Sequence, residues 1–215
     1  HGSVFDYVME TEGLNFPEAV EKLAGEAGME VPRDTPEERE RQKKRQSLFD
    51  VIELAAGVFE RQLRMPEGKP GHEYLQRRGL SKETIQRFRL GFAPGGRGRL
   101  KAALAREGVE ENLMITAGLI IKPDEGKGGP PRESYDRFRG RVMFPIWDRR
   151  GRAIGFGGRI INEGEPKYLN SPETPLFQKR GTLYGLHLAA PAARREESLI
   201  VTEGYMDVIT LAQAG

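Results

Sequence analysis

Cysteine is absent from the 215 residues, which removes disulfides and thiolate metal sites from consideration. The three histidines, His1, His72 and His187, stand too far apart along the chain to form a local metal motif, so no zinc bound by this chain is expected. Long apolar runs are also missing. No stretch approaches the roughly 20 residues that cross a bilayer, and the N-terminus lacks the basic-then-apolar order of a secretory signal. A cytoplasmic location is the expectation that follows. Hydrophobic residues make up 37% of the chain, low but sufficient for one medium domain or two small ones.

Charge, by contrast, is plentiful and unevenly placed. Residues 1–66 carry 9 basic and 14 acidic groups, 67–129 carry 12 and 8, 130–181 carry 11 and 6, and 182–215 carry 2 and 4. A basic middle between acidic flanks fits a polyanion lying on one part of the protein with a divalent cation bound nearby. Ordinary solvated surface charge accounts for the same counts.

The stretch "NFPEAVEKLAGEAGMEVP" reads as a short helix, with Pro17 in its first turn, Ala19, Val20, Leu23, Ala24 and Ala27 on one face, and Gly28 ending it. The almost wholly charged "RDTPEERERQKKRQ" reads as a solvated linker that winds into a helix. Thr35 and Glu38 form a capping box there, and Leu48, Val51, Ile52, Ala55, Phe59 and Leu63 then repeat at helical spacing. Short helices are expected in "GHEYLQRRG" and "SKETIQRFR", a strand in "LGFAP", a loop and helix in "GGRGRLKAALAREG", and a flexible loop over 124–134. "RVMFPIWD" and "RAIGFGGRII" alternate around the turn Asp148-Arg149-Arg150-Gly151 and predict an antiparallel hairpin. "HLAAPAARR" reads as a helix interrupted by Pro191, and "SLIVTE" as a buried strand.

The glycines of "GFGGRI" do not form a phosphate loop, because Arg159-Ile160-Ile161 continues as strand rather than opening a helix. Two readings remain for Gly155, Gly157 and Gly158: a surface cleared for a bulky ligand, or closely packed chain. Around them cluster Arg137, Arg139, Arg141, Arg159, Lys167, Lys179 and Arg180, interleaved with Phe138, Phe144, Trp147, Phe156, Tyr168 and Phe177. Cations tracking a phosphate backbone with aromatics for stacking make a single-stranded nucleic-acid groove. Aromatics at strand spacing more often face a core. "YLNSPET" has the composition of a turn, in which loops also carry function.

No serine or cysteine nucleophile with a base is recognisable. The closing "LIVTEGYMDVITLAQAG" sets Glu203 between an apolar run and a helix, with Asp207 one turn on, so both carboxylates can face a hard cation at the edge of a sheet. Alternatively Glu203 merely favours a helix start.

These residues resemble the bacterial DNA primases of the DnaG type. "YLQRRGLS", "LGFAP", "RFRGRVMFPIWDRRGRAIGFGGRII", "PKYLNSPETPLFQKRGTLYGL" and "EGYMDV" occur in the family's order and spacing. The opening 32 residues are similar to the end of its zinc ribbon, just past the last metal cysteine. The resemblance implies an α+β chain in four parts: 1–32, the tail of a zinc-binding domain without its ligands; 33–46, a charged linker leading into a helix; 47–197, a mixed helical and antiparallel-sheet subdomain of the primase core that binds nucleic acid; and 198–215, the first β-α unit of a truncated Toprim module. It implies that Arg78, Arg159, Lys167 and Lys179 hold template, primer or nucleotide phosphates, with Arg139, Arg141 and Tyr205 also in the binding set. Glu203 becomes the catalytic carboxylate and, with Asp207, a ligand of magnesium or manganese; zinc belongs to the parent's ribbon and is not bound here. The implied function is a DNA-dependent RNA polymerase that makes short primers by metal-dependent nucleotidyl transfer. The implied partners are single-stranded DNA template, RNA primer and nucleoside triphosphates, with a replicative helicase and single-strand-binding protein reached through other regions. The remaining Toprim strands, with their Asp-x-Asp pairs, are expected beyond residue 215, so the chain by itself is expected not to polymerise. Two other readings stand beside this one: a non-catalytic single-stranded nucleic-acid-binding module, and another Toprim enzyme such as a topoisomerase or nuclease. "PKYLNSPET" ahead of "EGYMDV" weighs against the last.

Overall fold

A computed structural model describes residues 2–29, 36–123 and 133–215. The expected cap at Thr35 and most of the expected loop over 124–134 lie outside the described residues. The chain forms two units, residues 1–43 and residues 44–215.

In the first unit, helix α1 (Val4–Glu12) starts at a capping box. Ser3 Oγ accepts from the Asp6 N–H while Asp6 Oδ2 accepts from the Ser3 N–H. Nothing in the sequence reading anticipated this helix, although Ser3 and Asp6 carried its start signal. Helix α2 (Phe16–Glu26) matches the expected one and begins with a second box, Asn15 with Glu18. Gly13 takes the left-handed φ of 68° that ends α1, Lys22 pairs with Glu12, and Val8 and Ala19 are buried.

Helix α3 (Pro36–Arg64) starts where the charged stretch is expected to wind into a helix and carries on to Arg64. Within the second unit its face of Leu48, Val51, Ile52, Ala55, Phe59 and Leu63 is buried, as the 3.6-residue spacing required. Helices α4 (Lys69–Arg77) and α5 (Lys82–Arg87) follow, then strand β1 (Gly91–Ala93), helices α6 (Arg99–Arg106) and α7 (Glu111–Thr116), and a small ribbon of β2 (Ile120–Ile121) and β3 (Tyr135–Asp136). Asp136, buried, accepts from the Leu100 and Lys101 N–H groups and so caps α6 from the ribbon.

The expected hairpin is β4 (Arg141–Trp147) with β5 (Ala153–Ile160), and Asp148 Oδ1 closes its turn by accepting from the Arg150 and Arg152 N–H groups. With β6 (Tyr168–Asn170) they form an antiparallel sheet in the order β1-β4-β5-β6. One face of this sheet lies on α3, where Phe59 meets Phe156 edge-on at 5.2 Å. Gly91 lets the chains cross there: a Cβ at that position would stand 2.6 Å from Phe59 Cβ and 3.0 Å from the Glu60 nitrogen.

Two expectations fail in the last 35 residues. Helix α8 (Leu186–Glu196) continues through Pro191 rather than breaking at it. Leu199, Ile200 and Val201 form no strand and are 47%, 76% and 69% exposed, because no described strand offers them a hydrogen-bonding ladder or a covering layer. Helix α9 (Tyr205–Ala214) does form, and it packs Met206 and Ile209 into the same core as the sheet. Residues 198–215 therefore fold with 44–197 in one unit.

Candidate nucleic-acid interface

The antiparallel register decides which side chains share a face. Pairing of Gly157 with Asn170 and of Arg159 with Tyr168 puts these four on one side of β5–β6, along with Phe144 of β4. Each glycine of the cluster is filled by the protein itself. A Cβ at Gly157 would lie 2.6 Å from the Tyr205 ring, one at Gly155 3.2 Å from Ser171, and one at Gly158 3.0 Å from Phe138. The close-packing reading of the glycines is therefore correct and the cleared ligand surface is not. Tyr205 uses the space to stack on Phe144 at 5.2 Å and 7°, and its hydroxyl donates to Asn170 Oδ1 at 2.9 Å. Burial pushes that hydroxyl up to about 12, with Tyr168 adding to the effect, so it stays a protonated donor.

Most of the interleaved aromatics belong to the core: Phe138, Phe144, Trp147, Phe156 and Phe177 are all buried. Tyr168 differs, being 42% exposed beside the cations. Arg159 lies over the Tyr74 ring at 4.5 Å and the Tyr168 ring at 5.8 Å, while its Nη1 donates to the Ile160 carbonyl. Arg78, exposed at the end of α4, stands near enough to act electrostatically on Tyr74 as Arg159 does. Lys167 is exposed immediately before Tyr168. Its carbonyl accepts from the Ile160 N–H and from Arg141, which fixes the turn that carries it.

Arg141 itself is 5% exposed and spends its guanidinium on the carbonyls of Gly158 and Lys167, so it stands beneath this face rather than on it. Burial, and then the neighbouring charge of Arg139, hold its pKa below the ordinary arginine value. Arg139 is exposed farther along, sharing the Tyr135 ring with Arg97, each at 4.8 Å. Asn170, which the sequence offers only as a turn residue, is a junction: its carbonyl accepts from Arg137 Nε and Nη2, and its side chain from Tyr205. Tyr74 gave no signal in the sequence beyond its place in a helical pattern.

An open cleft of about 320 Å³ adjoins the sheet. Asn170, Lys179, Glu203 and Tyr205 line it, together with Tyr184 and the exposed run Leu199–Val201. Glu203 and Lys179 thus share this cleft, while Asp207 is not among the lining residues; a Cβ at Gly204 would lie 2.6 Å from Asp207 Oδ2. Magnesium takes six oxygens in near-octahedral order, and one or two carboxylates fall short of a dedicated cage. Among the described residues no group of three or more His, Cys, Asp or Glu is placed to hold a metal ion. The residues present therefore do not make up a metal site, although Glu203 supplies one oxygen donor of the right kind. No described helix is long and apolar enough to cross a membrane.

Residues 58–190 match the family described as DNA primase catalytic core, N-terminal domain. Over its whole length the chain is 46% identical to the DNA primase of Pseudomonas putida, of which it covers 32%. It is similar in structure to a DnaG primase catalytic domain bound to ssDNA, with a TM-score of 0.70 and 44% identity over 80% of this chain and 54% of that one. A third similarity is to the zinc-binding and RNA polymerase domains of the Aquifex aeolicus primase, with a TM-score of 0.66 and 28% identity, covering 97% of this chain and 48% of that one. The chain spans about a third of the length of the curated relatives it matches.

Proposed function

Given that this chain belongs to the family of DNA primase catalytic core N-terminal domains, we propose that it is the template-holding part of a primase, a DNA-dependent RNA polymerase that lays short RNA primers on single-stranded DNA. The observation that carries the reading is the cation cluster on the β5–β6 face. Arg159 lies over two tyrosine rings, and no carboxylate forms an ion pair with it among the described residues. A partly buried guanidinium supported by aromatic faces and lacking a counter-ion suits a phosphate backbone with bases stacked beside it. A relative of 44% identity is bound to ssDNA, which supports the same partner.

In this reading Arg78, Arg159 and Lys167 hold phosphates of template or primer, Arg139 extends the track, and Tyr168 offers a stacking face. Arg141 serves from below by fixing the turn that carries Lys167. Lys179 and Glu203 face an incoming nucleoside triphosphate and the primer end, and Tyr205 holds Glu203 in place relative to the sheet. Glu203 and Asp207 contribute to a magnesium or manganese site completed by other residues of the parent, and zinc belongs to the parent's ribbon and is not bound by residues 1–32. Charge neutralisation in in-line nucleotidyl transfer is what such ions supply. A helicase and a single-strand-binding protein are further partners of the whole enzyme, which works in the bacterial cytoplasm.

Titration of labelled oligo-dT with the 215-residue protein tests the reading. Arg159→Ala and Lys167→Ala should each weaken binding about 3–30-fold and lower the slope of log affinity against log salt by about 1. Unchanged affinity and slope in both variants overturn the proposed face. The cation cluster alone would equally serve a second reading, a binding module without catalysis. Primer synthesis by the longer protein in magnesium, abolished by Glu203→Gln, decides against that module.

A further inference from the structure

Tyr74 is 7% exposed, and its side chain does more than fill space. It belongs to the core through its position on α4, whose Gly71 packs against Phe92 of β1. One ring face nevertheless carries the Arg159 guanidinium at 4.5 Å, and Arg78 and Tyr168 lie close enough to act on its hydroxyl. That hydroxyl is buried with no hydrogen-bond partner among the described residues. A buried, unpartnered phenol is destabilising relative to a paired one, so packing alone does not account for tyrosine here. An aromatic face for the Arg159 guanidinium accounts for a ring at this position. Burial raises the hydroxyl's pKa while Arg159 and Arg78 pull it down, so the group stays neutral and the ring keeps its quadrupole.

Free in solvent, a long arginine side chain samples many rotamers and must give that freedom up on binding an anion. Over the Tyr74 ring, with Nη1 donating to the Ile160 carbonyl, the guanidinium of Arg159 is held at two points before any ligand arrives. We propose that Tyr74 is a positioning residue for Arg159, presetting its guanidinium so that the remaining N–H groups face a phosphate of bound nucleic acid. The proposal rests on the nucleic-acid reading above only for the phosphate; the Tyr74–Arg159 coupling stands without it.

Two readouts on the 215-residue protein decide it. In oligo-dT titrations Tyr74→Met should weaken binding about tenfold, in the range of a desolvated cation–π contact, and Tyr74→Phe no more than about threefold. In the Arg159→Ala background Tyr74→Met should change affinity less than about twofold, since the group it positions is gone. A loss of the same size in both backgrounds makes Tyr74 merely structural and overturns the proposal. Without DNA, the Nε–H order parameter of Arg159 should fall below about 0.6 in Tyr74→Met and stay near its wild-type value in Tyr74→Phe. An unchanged order parameter in Tyr74→Met also overturns it. If wild type fails to bind oligo-dT, the proposed function falls, and the order parameters still decide the role of Tyr74. Should Tyr74→Met not fold, Tyr74→Leu replaces it in both measurements.

Discussion

His187 shows how burial alone gives one side chain a pH signature. Its Nδ1 is buried without a hydrogen-bond partner, and its ring lies 4.8 Å from Trp147. Desolvation lowers its pKa below the ordinary 6.5, against a smaller upward pull from Asp148. The native state therefore binds fewer protons than the unfolded chain just below pH 6.5, and the stability present above that value is lost as pH falls through it. Thermal midpoints taken at pH 7.5 and pH 5.5 should drop less in His187→Gln than in wild type; equal drops would show that the ring titrates as freely folded as unfolded. Tyr74, Asn170 and His187 all owe their roles to neighbours distant in sequence, which is why none stood out in the sequence. Arg159 and Lys167 stood out because charge beside a glycine-bearing strand is visible without coordinates.

The elements that sequence pattern revealed are those whose periodicity is answered inside the chain. The α3 face of Leu48 to Leu63 and the β4–β5 hairpin each meet a partner surface within residues 44–215. Leu199-Ile200-Val201 has the apolar content of a buried strand, but a strand is a relation between neighbours, and none of the described strands pairs with it. The three glycines of β5 were ambiguous for the same reason, since only the arrival of Tyr205, Ser171 and Phe138 says what they make room for. Gly157→Ala should accordingly displace the Tyr205 ring and cost about 1–3 kcal/mol in urea unfolding, while abolishing the Tyr205–Asn170 hydrogen bond. A variant as stable as wild type, with an unchanged environment for the Tyr205 ring in NMR, would show that α9 is not seated on that strand.

At the scale of the whole molecule the two units differ in self-sufficiency. Every core residue from Leu48 to Ile209 finds its contacts within residues 44–215, whereas residues 1–43 bury only Val8 and Ala19 among their described hydrophobics. A protein of residues 44–215 should keep a single cooperative thermal transition within about 5 °C of the 215-residue chain, since the loss of a surface-rich segment costs little. Loss of that transition would place residues 1–43 inside the folding unit. The uneven charge counts were legible at this scale from the start, but not their geometry, because Arg141 lies inside and Arg139 stands apart with Arg97 on Tyr135. One side chain carries this geometry to the end of the chain. Tyr205 stands in sequence between Glu203 and Asp207, and it is bonded to the strand that follows Lys167. The two carboxylates thus flank a residue that is tied to the sheet. A mutation at Asn170 or Gly157 therefore shifts Tyr205, and with it the stretch of chain that carries Glu203 and Asp207 on either side, without altering either carboxylate.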